Sequence, residues 1–349
     1  MFVQTNKLLG NTIEVFDRAE DGTLTRAGEY ETGGLGGATV QTPGDSLSSQ
    51  GSLVYRDGFL FAVNAGSNTL TLFRVQRNRL ERLQVVPSGG LFPVSIAVRG
   101  RLVYVLNAGG EGAVQGFRFY GGKLSPIDDT AVSLCPGGAG RALGLRNTNP
   151  PLYASSPAQV GFSPDGRFLI VTTKSNDAIY TYRIFRSGRL AEMSMTSVAV
   201  DPIGFTFSPR GTLLVSEGAT ASVAGYRLRR DGSLTPTGPP VPNGQVASCW
   251  IQQVGRYFFV SNPGSSTISS YREDRRGRLL LVHAVAADTE GGGNIDLTVS
   301  GDYLYVQNAL AGTVEGYAVG EDGSLTLVTT VTGLPALTDG HGMEGIAAS

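Results

Sequence analysis

The sequence predicts an all-β protein, a seven-bladed β-propeller with four-stranded blades, on three observations. The stretch 59–75, FLFAVNAGSNTLTLFRV, joins two mostly apolar strand-like runs through a small polar turn, and related text occurs seven times in the chain. Where no insertion intervenes, the copies are 43 to 46 residues apart, which is the period of a propeller blade. Glycine is abundant, with 49 residues, and charged residues make up only 16%, a balance typical of short strands and tight turns.

Each copy is interpreted as part of one four-stranded blade. In the second unit, residues 51–86 divide into four strands separated by turns that include Asp57-Gly58 and Arg77-Asn78. Glycine and asparagine supply the left-handed backbone that tight hairpins need. We call the residue that ends the second strand of each unit its marker residue. The markers are Asn6, Asn64, Asn107, Thr173, Glu217, Asn262 and Asn308.

The two ends of the chain are predicted to share one blade. The first unit lacks an innermost strand, because Phe2 already begins its second strand. Residues 343–348, MEGIAA, resemble an innermost strand with nothing after it. Pairing this segment into the first blade closes the ring and removes exposed sheet edges. Residues 1–349 then form a single propeller domain, whereas an open solenoid leaves 343–349 without a role.

Two connections are longer than the repeat requires, residues 33–50 and residues 135–155. Both run from an outermost strand to the next innermost strand. Because strands alternate in direction, we expect both insertions on the face that carries the turns after the marker residues. Insertions on one face of a repeat protein usually form its binding face, so functional chemistry is predicted there.

Charge and composition exclude several classes of partner. The net charge is −1, which gives no electrostatic basis for binding nucleic acid or an anionic membrane, and no apolar run is long enough to span a bilayer. Cys135 and Cys249 are too few for a disulfide framework; one bridge between them is compatible with the sequence, and reduced thiols are the default expectation. The cytoplasm is therefore the expected compartment, although removal of a signal peptide would leave the same sequence.

The marker residues are explained first by local geometry. A side-chain amide at a strand end can bond the backbone of the following turn, and Asn262 is in addition a candidate ligand contact. Glu217 is the exception, because a carboxylate cannot donate the hydrogen bonds of an amide. It is interpreted either as a solvated turn acid or as a catalytic proton donor or acceptor at the channel mouth.

The central channel is predicted to contain further acids. Every second residue of an innermost strand faces the channel, which places Gln159 and Asp296 at one level and Glu344 at the next. Asp296, Glu344 and Glu217 can bind a calcium or sodium ion, act as general acid or base, or be hydrated groups in a wet channel. Gln159, Asp296 and Glu344 are carried forward as candidate substrate contacts.

Histidine and known sequence motifs give a narrower set of candidates. His283 falls on an outermost strand, whereas His341 lies on the expected binding face and is the imidazole considered for catalysis. No His and Cys set supports a zinc site. The sequence contains no GxSxG, HExxH, Walker A or dinucleotide fingerprint, so no metal and no cofactor are predicted.

The longer insertion contains polar residues suited to an anionic ligand. Arg141, Arg146 and Tyr153 lie there beside glycines and a Pro150-Pro151 pair. Arginine binds carboxylate or phosphate groups through two parallel hydrogen bonds, although exposed loop arginines also serve solubility alone. These three residues are predicted substrate contacts.

Recurring motifs give the chain a family resemblance. The motifs are SPDG at 163–166, SPRG at 208–211, third strands that close on FRV, YRI or YRL, and DGxL turns such as 231–234. Together they resemble the lactonase propellers, which include bacterial 6-phosphogluconolactonases and fungal carboxymuconate lactonizing enzymes. The resemblance covers nearly the whole chain and implies a seven-bladed fold. It implies activity less specifically, because the same blade text occurs in non-enzymatic relatives.

The family's functional positions are only partly kept. Its glutamate after a VN or VS strand end matches Glu217. Its histidine aligns with Ala158, and its two arginines align with Ile203 and Pro263. A methyl group cannot move a proton, so the family mechanism cannot operate unchanged. Gln159, beside the replaced histidine, can orient a ligand but is no general base near neutral pH.

Two functions follow from these observations. One is a metal-independent enzyme that hydrolyses or forms a lactone or related cyclic oxygenated small molecule, with Glu217 as acid or base and Arg141 and Arg146 holding an anion. The other is a non-catalytic propeller that binds a small molecule or partner protein through its insertions. The replaced polar positions favour binding, whereas Glu217 and the insertions favour catalysis.

Overall fold

The computed structural model describes residues 1–127, 140–174, 176–197, 200–338 and 341–349. Its strands form seven antiparallel sheets, five of four strands and two of five, which confirms the seven-bladed propeller. Blade 1 contains β1 (Phe2–Gln4), β2 (Thr12–Arg18) and β3 (Leu24–Glu31). Blade 2 contains β4 (Leu53–Arg56), β5 (Phe59–Asn64), β6 (Thr69–Gln76) and β7 (Arg79–Pro87). Blade 3 contains β8 (Pro93–Arg99), β9 (Leu102–Asn107), β10 (Ala113–Tyr120) and β11 (Lys123–Pro126), and β12 (Gly140–Ala142) also pairs with β10.

The remaining blades repeat this arrangement. Blade 4 contains β13 (Pro157–Phe162), β14 (Phe168–Thr173), β15 (Ala178–Ile184) and β16 (Leu190–Ser197). Blade 5 contains β17 (Pro202–Phe207), β18 (Thr212–Glu217), β19 (Ser222–Leu228) and β20 (Leu234–Pro236), with β21 (Val241–Pro242) also paired with β19. Blade 6 contains β22 (Ile251–Val254), β23 (Tyr257–Asn262), β24 (Thr267–Glu273) and β25 (Leu279–Asp288). Blade 7 contains β26 (Asn294–Ser300), β27 (Tyr303–Asn308), β28 (Thr313–Val319) and β29 (Leu325–Val331). The last strand of the chain, β30 (Ile346–Ala347), belongs to blade 1.

The tight turns follow the predicted chemistry in part, because Gly58 has the left-handed backbone as expected, whereas in the Arg77-Asn78 turn Arg77 adopts it instead of Asn78. Asp57 and Gly58 connect β4 to β5 with positive φ angles of 49° and 82°, and Arg77 connects β6 to β7 with φ 57°. Only a left-handed backbone closes such short hairpins without splaying the strands. Described helical structure amounts to one 3-10 turn, Tyr153–Ser155, and no helix in the described ranges is long and apolar enough to cross a membrane.

Tyrosines tie neighbouring blades together. The hydroxyl of Tyr104 in blade 3 donates to the carbonyl of Gly188 in blade 4 at 2.6 Å. Tyr305 in blade 7 donates in the same way to Gly22 in blade 1 at 2.7 Å. In both pairs the donor lies on a second strand and the acceptor lies in a turn between the third and fourth strands. The buried apolar faces of the sheets are therefore held in register around the ring.

The C-terminal segment closes the ring, as predicted. Strand β30 pairs with β1, with Phe2 opposite Ala347 and Val3 opposite Ile346. The amide of Gln4 donates to the carbonyl of Gly345 at 2.9 Å, and its own carbonyl accepts from the amide of Glu344 at 3.0 Å. Blade 1 thus contains both ends of the chain.

Part of the first insertion is buried inside the propeller. Residues 45–50, which we call the channel plug, are all buried. Ser49 Oγ donates to the carbonyl of Val94 in blade 3 at 2.7 Å, and the amide of Gln50 donates to Ala158 in blade 4 at 3.1 Å. The Gln50 side chain bonds both the amide and the carbonyl of Ile251 in blade 6, at 3.3 and 3.2 Å. The sequence predicted an excursion over the face, and not a segment that fills the channel.

The two insertions contact each other. Val40 and Leu152 form an isolated parallel bridge, the Val40 amide donates to Pro151 at 2.8 Å, and the Tyr153 amide donates to Val40 at 2.9 Å. These contacts bring residue 40 of the first insertion and residues 151–153 of the second together. Residues 135–139 of the longer insertion, Cys135 included, lie outside the described residues.

Candidate functional site

The polar residues with the strongest mutual interactions lie where the innermost strands begin. Asp45 is the first residue of the plug, Tyr153 precedes β13, Asp201 precedes β17 and Glu344 precedes β30, while Lys174 directly follows β14. Adjacent strands of a blade are antiparallel, so the start of an innermost strand and the end of a second strand meet at one edge. We call these five residues the mouth cluster.

Lys174 is the cation of the mouth cluster. It is only 6% exposed, and its Nζ donates to the Ser48 carbonyl at 3.2 Å and also to Ser48 Oγ. The same nitrogen lies 4.6 Å from the centroid of the Tyr153 ring, a cation–π contact. Burial lowers the pKa of Lys174 to about 8, although the negative charges of Asp45 and Asp201 oppose that shift.

Asp45 and Glu344 form a buried carboxyl pair that binds backbone amides of the plug. Asp45 Oδ1 accepts from the Ser48 amide at 2.5 Å, and Glu344 Oε2 accepts from the Leu47 amide at 3.2 Å. Burial raises the pKa of both groups; the charge of Asp45 raises that of Glu344 further, while Lys174 lowers that of Asp45. Lys174 thus opposes the effect of burial at Asp45, whereas Asp45 adds to that effect at Glu344.

Asp201 is the acid of the cluster that lies nearest to solvent. It is half-buried, its amide donates to Asp177 Oδ1 at 2.8 Å, and its carbonyl accepts from the Gly218 amide at 3.0 Å. Burial raises the pKa of its carboxyl, and Lys174 lowers it. A Cβ on Gly218 would lie 2.5 Å from Asp201 Oδ2, so this glycine leaves room for the carboxylate.

Tyr153 completes the cluster beside Lys174. Its ring is half-buried on the 3-10 turn Tyr153–Ser155, and burial raises the pKa of its hydroxyl well above the ordinary value. It is therefore a neutral hydrogen-bond donor throughout the physiological range. An ammonium, a phenol and a half-buried carboxylate at one edge can polarise a carbonyl group and move protons around it.

The structure places Glu217 inside blade 5. Its Oε2 accepts from Ser222 Oγ at 2.7 Å and from Thr220 Oγ1 at 3.3 Å, and its Oε1 lies 3.4 Å from the donating hydroxyl of Tyr226. Asn64 fills the same position in blade 2 and donates to two hydroxyls of that blade. A hydroxyl can donate or accept, so the same turn holds either side chain.

Asn262 is likewise bound within its own blade. Its Nδ2 donates to Ser269 Oγ at 2.9 Å, and its Oδ1 accepts from Asn243 Nδ2 at 2.9 Å and from Ser248 Oγ at 2.7 Å. Gln159 similarly links two innermost strands, since its amide group bonds the amide and the carbonyl of Phe205 at 2.6 and 3.2 Å. Neither side chain belongs to the mouth cluster.

The other predicted residues are dispersed. The backbone of His341 forms a bridge with Thr338, and its Nδ1 is buried with no hydrogen-bond partner among the described residues. Arg146 is exposed, and the side chain of Arg141, whose backbone lies in β12, is outside the described part of the chain. Asp296 lies deeper in the channel. The described ranges contain no group of three or more His, Cys, Asp or Glu residues that could hold a metal ion.

Sequence reasoning missed Lys174, Asp45 and Asp201. One signal was present, because blade 4 replaces the marker asparagine with Thr173 and a lysine follows it. Asp45 lies in an aperiodic insertion and Asp201 in a connection, so the repeat pattern gives neither residue a position. Glu344 was predicted at the axis, and Tyr153 at the binding face.

A stability test follows from the contacts of Glu217. Glu217→Ala leaves the buried hydroxyls of Ser222 and Tyr226 without their acceptor, so we expect it to lower the free energy of unfolding by about 1–3 kcal/mol. Glu217→Gln keeps an acceptor oxygen and should cost less than about 1 kcal/mol. Urea denaturation measures both, with the exposed Glu20→Ala as control. Equal stability of Glu217→Ala and Glu20→Ala would contradict the structural role.

Comparison with known proteins identifies the family. A family model described as the seven-bladed β-propeller lactonase matches residues 111–250 and 235–338, more than half of the chain. No curated protein sequence matches significantly.

Solved structures share the fold at low identity. The periplasmic gluconolactonase of Pseudomonas aeruginosa is 19% identical with a TM-score of 0.71, and the match covers 96% of each chain. A protein from Lactobacillus plantarum is 19% identical over 99% of each chain, with a TM-score of 0.69. A putative 6-phosphogluconolactonase from Bacteroides fragilis is 17% identical with a TM-score of 0.69, covering 95% of this chain and 94% of its own. The chain belongs to the lactonase family of seven-bladed β-propellers.

Proposed function

We propose that the protein is a lactonase-like enzyme that acts on a lactone or related cyclic oxygenated small molecule at the mouth cluster, by hydrolysis or lactonization. The observation that carries this proposal is the buried Lys174 ammonium, which lies against Tyr153 and interacts with Asp201. Family membership supports the substrate class, since similar structures include a gluconolactonase and putative 6-phosphogluconolactonases. No residue of this mechanism requires a metal or cofactor.

In the proposed hydrolysis, Asp201 accepts a proton from water while the water oxygen bonds to the lactone carbonyl carbon. Lys174 and the Tyr153 hydroxyl stabilise the oxyanion that forms. The ring C–O bond then breaks, and the departing alkoxide takes a proton from Lys174. Transfer of the proton from Asp201 to Lys174 restores the site and leaves a hydroxy acid as product. Lactonization is the same sequence in reverse.

The other residues predicted from the sequence are alternative candidates for catalysis or ligand binding in this proposal. Glu217 and His341 are the alternative acid and base, and Arg141 and Arg146 are the proposed contacts for an anionic substituent of the substrate. Gln159, Asn262, Asp296 and Glu344 are secondary candidates for ligand contacts. The cytoplasm is the proposed compartment, on the sequence ground that two cysteines are too few for a disulfide framework.

A second candidate function is non-catalytic binding of a small molecule or a partner protein. The plug favours it, because Ser48 covers the Lys174 ammonium and leaves little of that side chain exposed. The replacement of three family polar positions by Ala158, Ile203 and Pro263 favours it as well. The mouth would then recognise an anion without transforming it.

The test compares turnover of a panel of sugar and aliphatic lactones by the wild type and by Lys174→Met. Loss of the cation should lower kcat/KM by about 10²–10⁴, the range for a general acid and oxyanion donor. Lys7→Met is the matched control, since Lys7 also follows a marker residue but is exposed and paired with Glu29 at 2.7 Å. Activity of the wild type should fall above about pH 8, where Lys174 loses its proton.

The outcomes separate the alternatives. Unchanged turnover in Lys174→Met with loss in Glu217→Gln would move catalysis to Glu217 and overturn the role of the mouth cluster. Absence of turnover on every lactone, together with a rise in melting temperature when a lactone or sugar acid is added, would establish the binding function instead.

A further inference from the structure

A cavity lies in the central channel beyond the plug. It has a volume of about 240 Å³ and extends from Gln50 along the innermost strands toward the ends at which those strands finish. We call it the lower channel cavity. Its polar lining residues are Gln50, Tyr55, Gln159, Gln252, Asp296 and Thr298.

Asp296 is the acidic residue of this cavity. It is 1% exposed, its Oδ1 accepts from the amide of Leu297 at 2.8 Å, and its Oδ2 has no hydrogen-bond partner among the described residues. Burial raises the pKa of Asp296 to about 7, although the amides of Leu297, Gly51 and Ile346 oppose the shift. The amides of Gly51 and Ile346 lie near this carboxyl without forming a hydrogen bond to Oδ2, and a buried carboxyl oxygen without a donor is costly unless a ligand supplies one.

The described lining of this cavity offers the Asp296 carboxyl no cation. The residues that line the lower channel cavity include no lysine, arginine or histidine. Asp45 is the charged group that acts on Asp296, and it is also an acid. Among the described groups that interact with Asp45 and Glu344, the cation is Lys174, whose Nζ is already bound to Ser48 of the plug. The described residues at the level of Asp296 therefore supply no positive charge.

We infer that the lower channel cavity binds a small monovalent cation, an alkali ion or a primary ammonium group, against Asp296 Oδ2. Carboxylate, amide and hydroxyl oxygens of Asp296, Gln252 and Thr298 are hard ligands suited to such an ion. The site is distinct from the mouth cluster, because none of the five residues of that cluster lines the lower channel cavity.

The charge of the ion follows from the ligands. A divalent calcium ion takes six to eight oxygens and usually more than one carboxylate, and magnesium demands near-octahedral geometry. The lower channel cavity offers one carboxylate, and the described residues contain no cluster of three acidic, histidine or cysteine ligands. One carboxylate neutralises one positive charge.

The test measures melting temperature at pH 8 in potassium, sodium, ammonium, methylammonium and N-methyl-D-glucamine chlorides at equal ionic strength. In the wild type we expect a saturable rise of several degrees in at least one small cation relative to the bulky glucamine. Alkali ions that act alone identify the ligand as a metal ion, whereas ammonium and methylammonium acting alone identify it as an amine. Asp296→Asn should abolish the rise. Asp302→Asn, an exposed change in the same blade, should retain it.

A second measurement does not depend on the variants. The sodium-23 resonance of a sodium chloride solution should broaden when wild-type protein is added. Potassium should reverse this broadening, and glucamine should not. For an amine ligand, methylammonium should reverse it. The inference is overturned if all the salts give the same melting temperature, or if Asp296→Asn shows the same small-cation rise as the wild type.

Discussion

Deletion of residues 343–349 is expected to lower the melting temperature of the protein by about 10 °C or more. The segment supplies the innermost strand of blade 1, so its loss breaks the pairing of Val3 with Ile346 and opens the ring. It also exposes the β1 edge and the apolar surfaces that Met343 and Ile346 now bury. Each such side chain contributes about 1.5–3 kcal/mol, a large share of a total stability of about 5–15 kcal/mol.

The deletion also removes Glu344, which holds the plug through the Leu47 amide, so the channel should loosen together with blade 1. Thermal melts followed by circular dichroism measure the effect, with deletion of the exposed Ser349 alone as control. Gly345→Ala provides a point variant of the same contact, because Gly345 has φ +90° and a Cβ there would lie 2.3 Å from Ser52 Oγ. An unchanged melting temperature in the deletion would contradict the closure of the ring.

The blades were predictable because their signals are local. A hairpin such as β5–β6 needs only alternating apolar residues and a turn that tolerates its backbone, and both are visible within 20 residues of sequence. Closure was predictable for a related reason, since the first unit lacks one strand and the last segment has no other partner. The repeat pattern is therefore sufficient to predict the fold, and no long-range contact needs to be known.

The plug and the mouth cluster were not predictable in this way. Gln50 bonds Ile251, which is 201 positions away, and Lys174 bonds Ser48, which is 126 positions away. No periodic pattern links such residues, because each pair joins an aperiodic insertion to a blade across the ring. The insertion was therefore recognisable from the sequence, but the channel that it fills was not.

Glu217 shows how a break in a repeat can be accommodated locally. The pattern drew attention to this residue because a carboxylate replaces an amide. In blade 5 the hydroxyls of Ser222 and Thr220 donate to that carboxylate, and in blade 6 the hydroxyl of Ser269 accepts from the amide of Asn262. Since a hydroxyl serves either partner, a change of marker residue is not by itself a signal of catalysis.

Asp296→Asn is expected to stabilise the protein at pH 8 while leaving its stability near pH 4 almost unchanged. Burial and the charge of Asp45 raise the pKa of Asp296 from 3.8 to about 7, so the folded state holds a proton that the unfolded state has lost. The stability that this proton provides is present below pH 3.8 and is lost as the pH rises through about 7. A shift of that size corresponds to about 4 kcal/mol across the window.

Asparagine cannot ionise, so the variant should not show this part of the pH dependence. Asp45 and Glu344 also have raised pKa values, so in both proteins they contribute a loss of stability of their own as the pH rises. The difference between wild type and variant therefore isolates the contribution of Asp296. Urea denaturation from pH 4 to pH 8 in N-methyl-D-glucamine chloride, which keeps small cations away from the carboxylate, measures that difference. Parallel pH curves for the two proteins would show that the Asp296 carboxyl is solvated in the folded state. A widening gap in favour of Asp296→Asn above pH 6 would establish that it is buried without a counter-ion.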